Sequence, residues 1–219
     1  MSPHDVNVAL HVAGGAAGLL VGAFVIATRK GETLHKRVGR VFVWLGGLSL
    51  VTALVGVFFF DPLPPLISAT LAFGYQYLSG LRVLQLKTSG PNLMDTLLAA
   101  LGLAGCAALY LSMGSGTVTW PPIIGYSAIG YTSSVAVYDL SRHFWADAWL
   151  KHVRRIDHGL KMTGAYFAMM SAGVGNVFRD PQPWSQVGPS ALGMLVMVVL
   201  LVAYVAGMRG GGQGGGSLG

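Results

Sequence analysis

His35, Asp139 and His158 are the side chains of this sequence best suited to chemistry. Imidazole and carboxylate make an ordinary ligand set for a borderline divalent metal, and these three would supply three ligands if their helices adjoin. The same groups would relay protons, because histidine titrates near neutral pH. Arg82 and Asp95 belong to the same end of the apolar segments, and they are expected to support this inner binding site. His11 and Asn176 lie toward the opposite end and are read as an outer polar gate, with a contact between them possible across a helix bundle. At about 1.5 Å per residue, most of a bilayer separates His11 from the inner group, so two polar levels suit a pathway better than a single active site.

Several better-defined chemistries are excluded. Cys106 is the only cysteine, so neither an intrachain disulfide nor a thiolate metal cluster can form, and covalent haem attachment through Cys-x-x-Cys-His is impossible. The six histidines are scattered, without the HExxH spacing of zinc hydrolases or the paired clusters of membrane di-iron hydroxylases. No lysine falls in the last apolar segment, Val187–Met208, which removes a retinal Schiff base. Non-covalent haem b is the lesser cofactor alternative to a divalent metal. It would be held by His35 and His158 or by His35 and Met162, although both histidines lie at a membrane interface rather than inside a span.

The elements that must position these residues are helices in a membrane. Of the 219 residues 53% are hydrophobic and only 10% charged, whereas a soluble domain carries about a quarter charged residues. Seven apolar segments run Val6–Thr28, Val38–Phe60, Leu66–Leu86, Met94–Met113, Pro122–Tyr138, Gly159–Phe178 and Val187–Met208. Each approaches the roughly 20 residues needed to span hydrocarbon, where backbone amides must be satisfied within the segment. The expected fold is an all-α integral membrane bundle of seven transmembrane helices, one domain over residues 1–209, followed by a flexible glycine-rich tail at 210–219.

Charge gives the expected orientation. Every Lys and Arg except Arg179 falls in alternate gaps or at the segment ends beside them, or follows the last segment, and cations in short loops mark the cytoplasmic side. The N-terminus is therefore expected outside and the C-terminus inside, in a bacterial cytoplasmic (inner) membrane. Met1–Asn7 carries His4 and Asp5 and no positive n-region, so the first segment is expected to remain as a span. The formal charge of +6 suits anionic lipid head groups better than nucleic acid, because the cations border apolar segments. Trp120 and Trp184 outside, with Trp145 and Trp149 inside, fit an interfacial aromatic belt.

Two helix faces and several end charges complete the expectations. His11, Gly14, Gly15, Gly18 and Gly22 share a stripe that permits close helix approach, and His158, Met162, Ala165, Ala168, Ala172 and Asn176 share another. Asp95 and Asp157 stand at helix starts and Arg82 near a helix end, where the macrodipole favours those signs. Asp139 ends a span, where its charge is disfavoured, so it needs an Arg or His partner.

His11 with Gly15 and Gly22, Leu34-His35-Lys36-Arg37, Ser79-Gly80-Leu81-Arg82, Asp95, Asp139-Leu140, His158-Gly159-Leu160-Lys161-Met162 and Asn176 together resemble a family of bacterial polytopic inner-membrane proteins known only as a domain of unknown function. The similarity runs from the first segment through the sixth, and the seventh segment and glycine-rich tail depart from it. The resemblance implies one shared polar framework of His11, His35, Arg82, Asp95, Asp139, His158 and Asn176, and no established activity. The leading functional expectation is a membrane binding or transport protein. Its rivals are a haem- or metal-dependent redox protein and an accessory subunit whose small-residue stripes pack against a membrane-protein partner or a second copy.

Overall fold

The computed structural model describes residues 1–60, 64–114 and 121–211. Asp61 and Pro62 of the second gap, Trp120 of the expected aromatic belt and residues 212–219 of the glycine-rich tail lie outside the described residues. The described chain is all-helical, with seven long helices: α1 (Pro3–Ala27), α2 (Thr33–Phe59), α3 (Pro64–Gln85), α4 (Leu93–Gly114), α5 (Pro122–Ser141), α6 (Arg154–Val177) and α7 (Trp184–Gly211). A broken helical segment joins α5 to α6, with a turn of 3₁₀ helix at Arg142–Phe144 and a π-helical turn at Trp149–Val153.

Four helices, α1, α2, α4 and the Trp184–Gly207 part of α7, are long and apolar enough to cross a membrane. They mark the chain as a membrane protein. The other three, α3, α5 and α6, carry most of the buried polar side chains, among them Gln76, Ser79, Thr132, Asp139, Asp157, Lys161 and Thr163, with Ser49 and Thr52 on α2 and Asp95 on α4. Their positions explain their composition. α3 packs against α2, α4, α5 and α6, and α6 packs against α1, α3 and α7, so these two helices form the interior while α5 packs against α3 and α4. The four apolar helices turn large side chains outward, including Leu20, Trp44, Phe58, Leu101 and Val202. That distribution suits lipid, which solvates such groups without cost, while internal polar groups pair with one another.

Small residues set the close contacts. Gly14, Gly18 and Gly22 are the buried residues of α1, which confirms the expected stripe as a contact surface. At Gly22 a Cβ would stand 2.8 Å from Phe42 and 2.5 Å from Tyr166, so the backbone of α1 meets rings from both α2 and α6. Gly102 of α4 admits the Tyr75 ring in the same way, at 2.6 Å from a would-be Cβ. The main apolar cluster joins Phe42, Leu50, Phe73, Tyr77, Tyr166, Phe167 and Met169 across α2, α3 and α6. Cys106 is buried in α4 as a small apolar residue.

Candidate functional site

Where α5 ends and α6 begins, four charged side chains are shut away from the surface. Asp139, Arg142, Asp157 and Lys161 are each 1–3% exposed. Arg142 reaches Asp139 Oδ1 at 3.1 Å and Asp157 Oδ2 at 3.2 Å. Lys161 bonds Asp139 Oδ1 and lies 3.3 Å from Asp157 Oδ1. Tyr75 Oη donates to Asp139 Oδ2 at 2.8 Å, and Trp149 Nε1 donates to Asp157 Oδ2 at 2.9 Å. Every carboxylate oxygen therefore has a hydrogen-bond or ion-pair partner, and the two acids balance the two bases. The Arg142 guanidinium also lies 4.8 Å from the Trp149 ring, within range of a cation–π contact.

Local sequence creates this arrangement. Asp139 and Arg142 are three residues apart and Asp157 and Lys161 four apart, so each pair shares a helical face. The broken segment between α5 and α6 turns the chain so that these faces meet, and it buries Trp149 completely. Asp139 finds the arginine partner that its position at a helix end requires, and a lysine besides. Asp157 is not a simple cap: its carboxylate belongs to the quartet. Trp149 is not an interfacial anchor, because its indole is buried against Val83 and Leu86 and donates inward. Trp145 is half-buried, donating to Ser141, while Trp184 is exposed.

The expected three-ligand metal set does not assemble. Asp139 is occupied by Lys161, Arg142 and Tyr75; His158 Nδ1 donates to the Gly80 carbonyl at 2.9 Å; His35 Nδ1 meets Thr28 Oγ1 at 3.1 Å. Among the described residues no group of three His, Cys, Asp or Glu side chains could hold a metal ion. Arg82 and Asp95 form a separate unit joining α3 to α4, with Arg82 Nη2 2.9 Å from Asp95 Oδ2 and Nε 3.2 Å from Oδ1. Asp95 also accepts the Asn92 amide at 3.0 Å, which fulfils its expected capping role. In the turn between α1 and α2, Lys30 donates to the Ile26 carbonyl at 2.6 Å, and burial pushes its ammonium below the usual lysine range.

The outer pair also separates. His11 Nδ1 lies 3.1 Å from Ser49 O and 3.0 Å from Thr52 Oγ1 on α2, while Asn176 donates to Ala172 O of its own helix at 2.8 Å. The residues expected to form one polar framework thus occupy several local arrangements. At the end of the bundle away from the quartet lies a cleft of about 150 Å³ between α3, α5, α6 and α7, with Asn176 on its wall. Tyr131 and Gly164 line its wall, and Gln76, which does not, has its Oε1 3.2 Å from where a Cβ at Gly164 would stand. Gln76 is 1% exposed, yet neither its amide oxygen nor its nitrogen has a hydrogen-bond partner. Leaving such a group unsatisfied costs about 1–3 kcal/mol.

A second, polar cleft lies beyond the quartet. It is lined by Lys151, His152, Arg154 and Arg155 with Leu150 and Tyr204, and Tyr204 Oη ties α7 to the π-helical turn through the His152 carbonyl at 2.7 Å. Neither cleft is lined by His35 or His158.

Sequence reasoning placed Arg142 and Lys161 among orientation charges and missed their joint burial with Asp139 and Asp157. The available signal was the i, i+3 and i, i+4 spacing of opposite charges beside apolar runs. Nothing marked Tyr75, Gln76 or Tyr131, and Trp149 was marked only as an interfacial anchor, because their roles depend on which helices adjoin. No family model, curated protein or solved structure matches the chain.

Proposed function

We propose that this protein is a seven-span inner-membrane binding or transport protein, with its N-terminus outside and its C-terminus in the cytoplasm. A cleft open toward the outer side admits a ligand, and the charge quartet closes the cytoplasmic end. The observation that carries this reading is the buried, balanced set of Asp139, Arg142, Asp157 and Lys161 at the opposite end of the same helices that line the cleft. Ionisable groups inside a membrane bundle mark ligand, ion or proton pathways as a rule. A closed ion-pair set can serve as a gate because it has an open alternative when one member changes partner or protonation state.

The orientation rests on the distribution of cations. It places the quartet and the Lys151, Arg154 and Arg155 cluster on the same, cytoplasmic side, where anionic lipid head groups would neutralise the cluster. His35 and His158 belong to this inner end as helix-positioning groups, each holding an oxygen atom of a neighbouring segment. The membrane location rests on the four helices long and apolar enough to cross a bilayer, and the ligand is left open.

Labelling with a membrane-impermeant thiol reagent tests the reading in a Cys106→Ala background. Cysteines at Ser2 and at Ala168, on the cleft wall, are expected to react from outside, and one at Arg155 only from inside. Reaction of Ser2→Cys and Arg155→Cys from the same side, or an Ala168→Cys sealed from outside, would overturn it.

A further inference from the structure

The polar cleft beyond the quartet has a wall suited to negative charge. Its space of about 280 Å³ is lined by Lys151, His152, Arg154 and Arg155, with Leu150 and Tyr204. Among the described residues, no ion pair or hydrogen bond engages the side chain of Lys151, Arg154 or Arg155. The nearby acids are committed elsewhere, Asp139 and Asp157 to the quartet and Asp95 to Arg82. Asp147, one turn before Lys151, is exposed and makes no ion pair with it. Three cations beside one space repel one another, and an anion between them removes that repulsion.

Local geometry gathers these cations. Lys151 and Arg154 are three residues apart and Lys151 and Arg155 four, so they share one side of the helical turn. Trp149 and Asp157 take the other side and join the quartet. The helix continues through this turn, with the Arg154 amide bonded to the Trp149 carbonyl, so recognition falls to side chains rather than to free main-chain N–H groups. Tyr204 Oη is spent on the His152 carbonyl at 2.7 Å, which fixes α7 as the second wall of the cleft. Guanidinium and ammonium groups without acceptors of their own match the oxygens of phosphate, arginine through its paired N–H groups.

We infer that this cleft binds a phospholipid whose head group carries two negative charges, its phosphate oxygens held by Lys151, Arg154 and Arg155 and its acyl chains lying along α7. Two charges on one head group answer three clustered cations better than one does, and basic pockets between spans on the cytoplasmic side suit such head groups. The surface of α7 selects lipid over soluble phosphate. Met197, Leu200 and Leu201 precede Tyr204 at helical spacing, Leu201 is 43% exposed, and Val198 and Val202 are exposed beside it. Acyl chains therefore find apolar surface in direct continuation of the cleft. The inference rests on the reading of the inner cations as facing anionic lipid, and within that reading it names a discrete site and a head group.

The test is thermal unfolding of the purified full chain in a neutral detergent with cardiolipin, phosphatidylglycerol, phosphatidylcholine or inorganic phosphate. Cardiolipin is expected to raise Tm saturably, and phosphatidylglycerol to need at least tenfold more phosphate for the same shift. Phosphatidylcholine and millimolar inorganic phosphate should produce none. Arg154→Gln/Arg155→Gln removes two cations that bond nothing in the fold, so it is expected to be at least as stable as the wild type without lipid and to weaken cardiolipin at least tenfold. Arg37→Gln/Arg40→Gln removes the same charge from exposed positions of α2 and should leave the cardiolipin response unchanged. Absence of a saturable cardiolipin shift, or an equal loss in both double variants, would overturn the site and leave the cations as diffuse charge. An equal response to phosphatidylglycerol at matched phosphate would overturn the head group, and a matching shift with inorganic phosphate would reassign the cleft to a soluble anion. The two readings fail separately. Inside-only labelling of Arg155→Cys without a cardiolipin shift in the wild type removes this site alone, and a cardiolipin shift with Arg155→Cys labelled from outside removes the orientation alone.

Discussion

Lys161 touches both carboxylates of the quartet, Asp139 from α5 and Asp157 one turn earlier on its own helix. Lys161→Met keeps most of the stem and removes the charge, leaving two buried carboxylates to share Arg142. Breaking a buried pair in this way costs about 3–5 kcal/mol, to be read from reversible unfolding in detergent micelles. Tyr75→Phe removes one hydrogen bond to a charged oxygen and is expected to cost about 1.5–3 kcal/mol in the same assay. Equal stability of the wild type and both variants would mean that the quartet is open to water. The need of Asp139 for a cationic partner was legible from its place at a helix end. Arg142 is a partner of the expected type, whereas the second partner, Lys161, was not legible because it arrives from another helix and the intervening segment fixes its approach. His35 and His158 looked like ligands by residue type, yet the Thr28 hydroxyl and the Gly80 carbonyl engage their Nδ1 atoms.

At the scale of elements, hydrophobic length located all seven helices, since each expected apolar segment lies on one long helix. The ends drifted where polar residues continue a helix past its apolar part, as Thr33–Arg37 do in α2 and Arg154–His158 in α6. Which helices are central was written less plainly. Gln76 and Ser79 in α3 and the charges of α6 are the residues that keep those helices from reading as purely lipid-facing, and they are the ones buried. The glycine stripe of α1 sorts by what each position meets. At Gly22 a methyl would press into the Tyr166 and Phe42 rings, whereas at Gly18 it would meet the flexible end of Met169 at 3.3 Å. Gly22→Ala is therefore expected to lower stability by about 1–3 kcal/mol. Gly18→Ala should cost less, and exposed Leu20→Ala should be close to neutral. Melting temperatures of the three variants check the order, and an equal loss at all three would place lipid rather than helices against the stripe.

For the whole molecule, the arrangement of cations along the chain and the arrangement of polarity across the bundle agree. The cation-rich gaps fall at the quartet's end, and the cleft falls at the other. α3 and α6, which make the most widely shared contacts, carry many of the internal polar groups, and the four lipid-suited helices turn large apolar side chains outward. The central claim is that the quartet separates the cleft from the cytoplasmic side. The most direct measurement is labelling of Ala168→Cys from the inner face of oriented vesicles in the Cys106→Ala background, with the quartet intact and with Asp157→Asn/Lys161→Met. That double variant removes one charge of each sign and preserves the balance of the remaining pair. The account predicts no labelling from the inner face with the quartet intact and labelling within the same time in the double variant. Equal inner-face labelling in both proteins would contradict it.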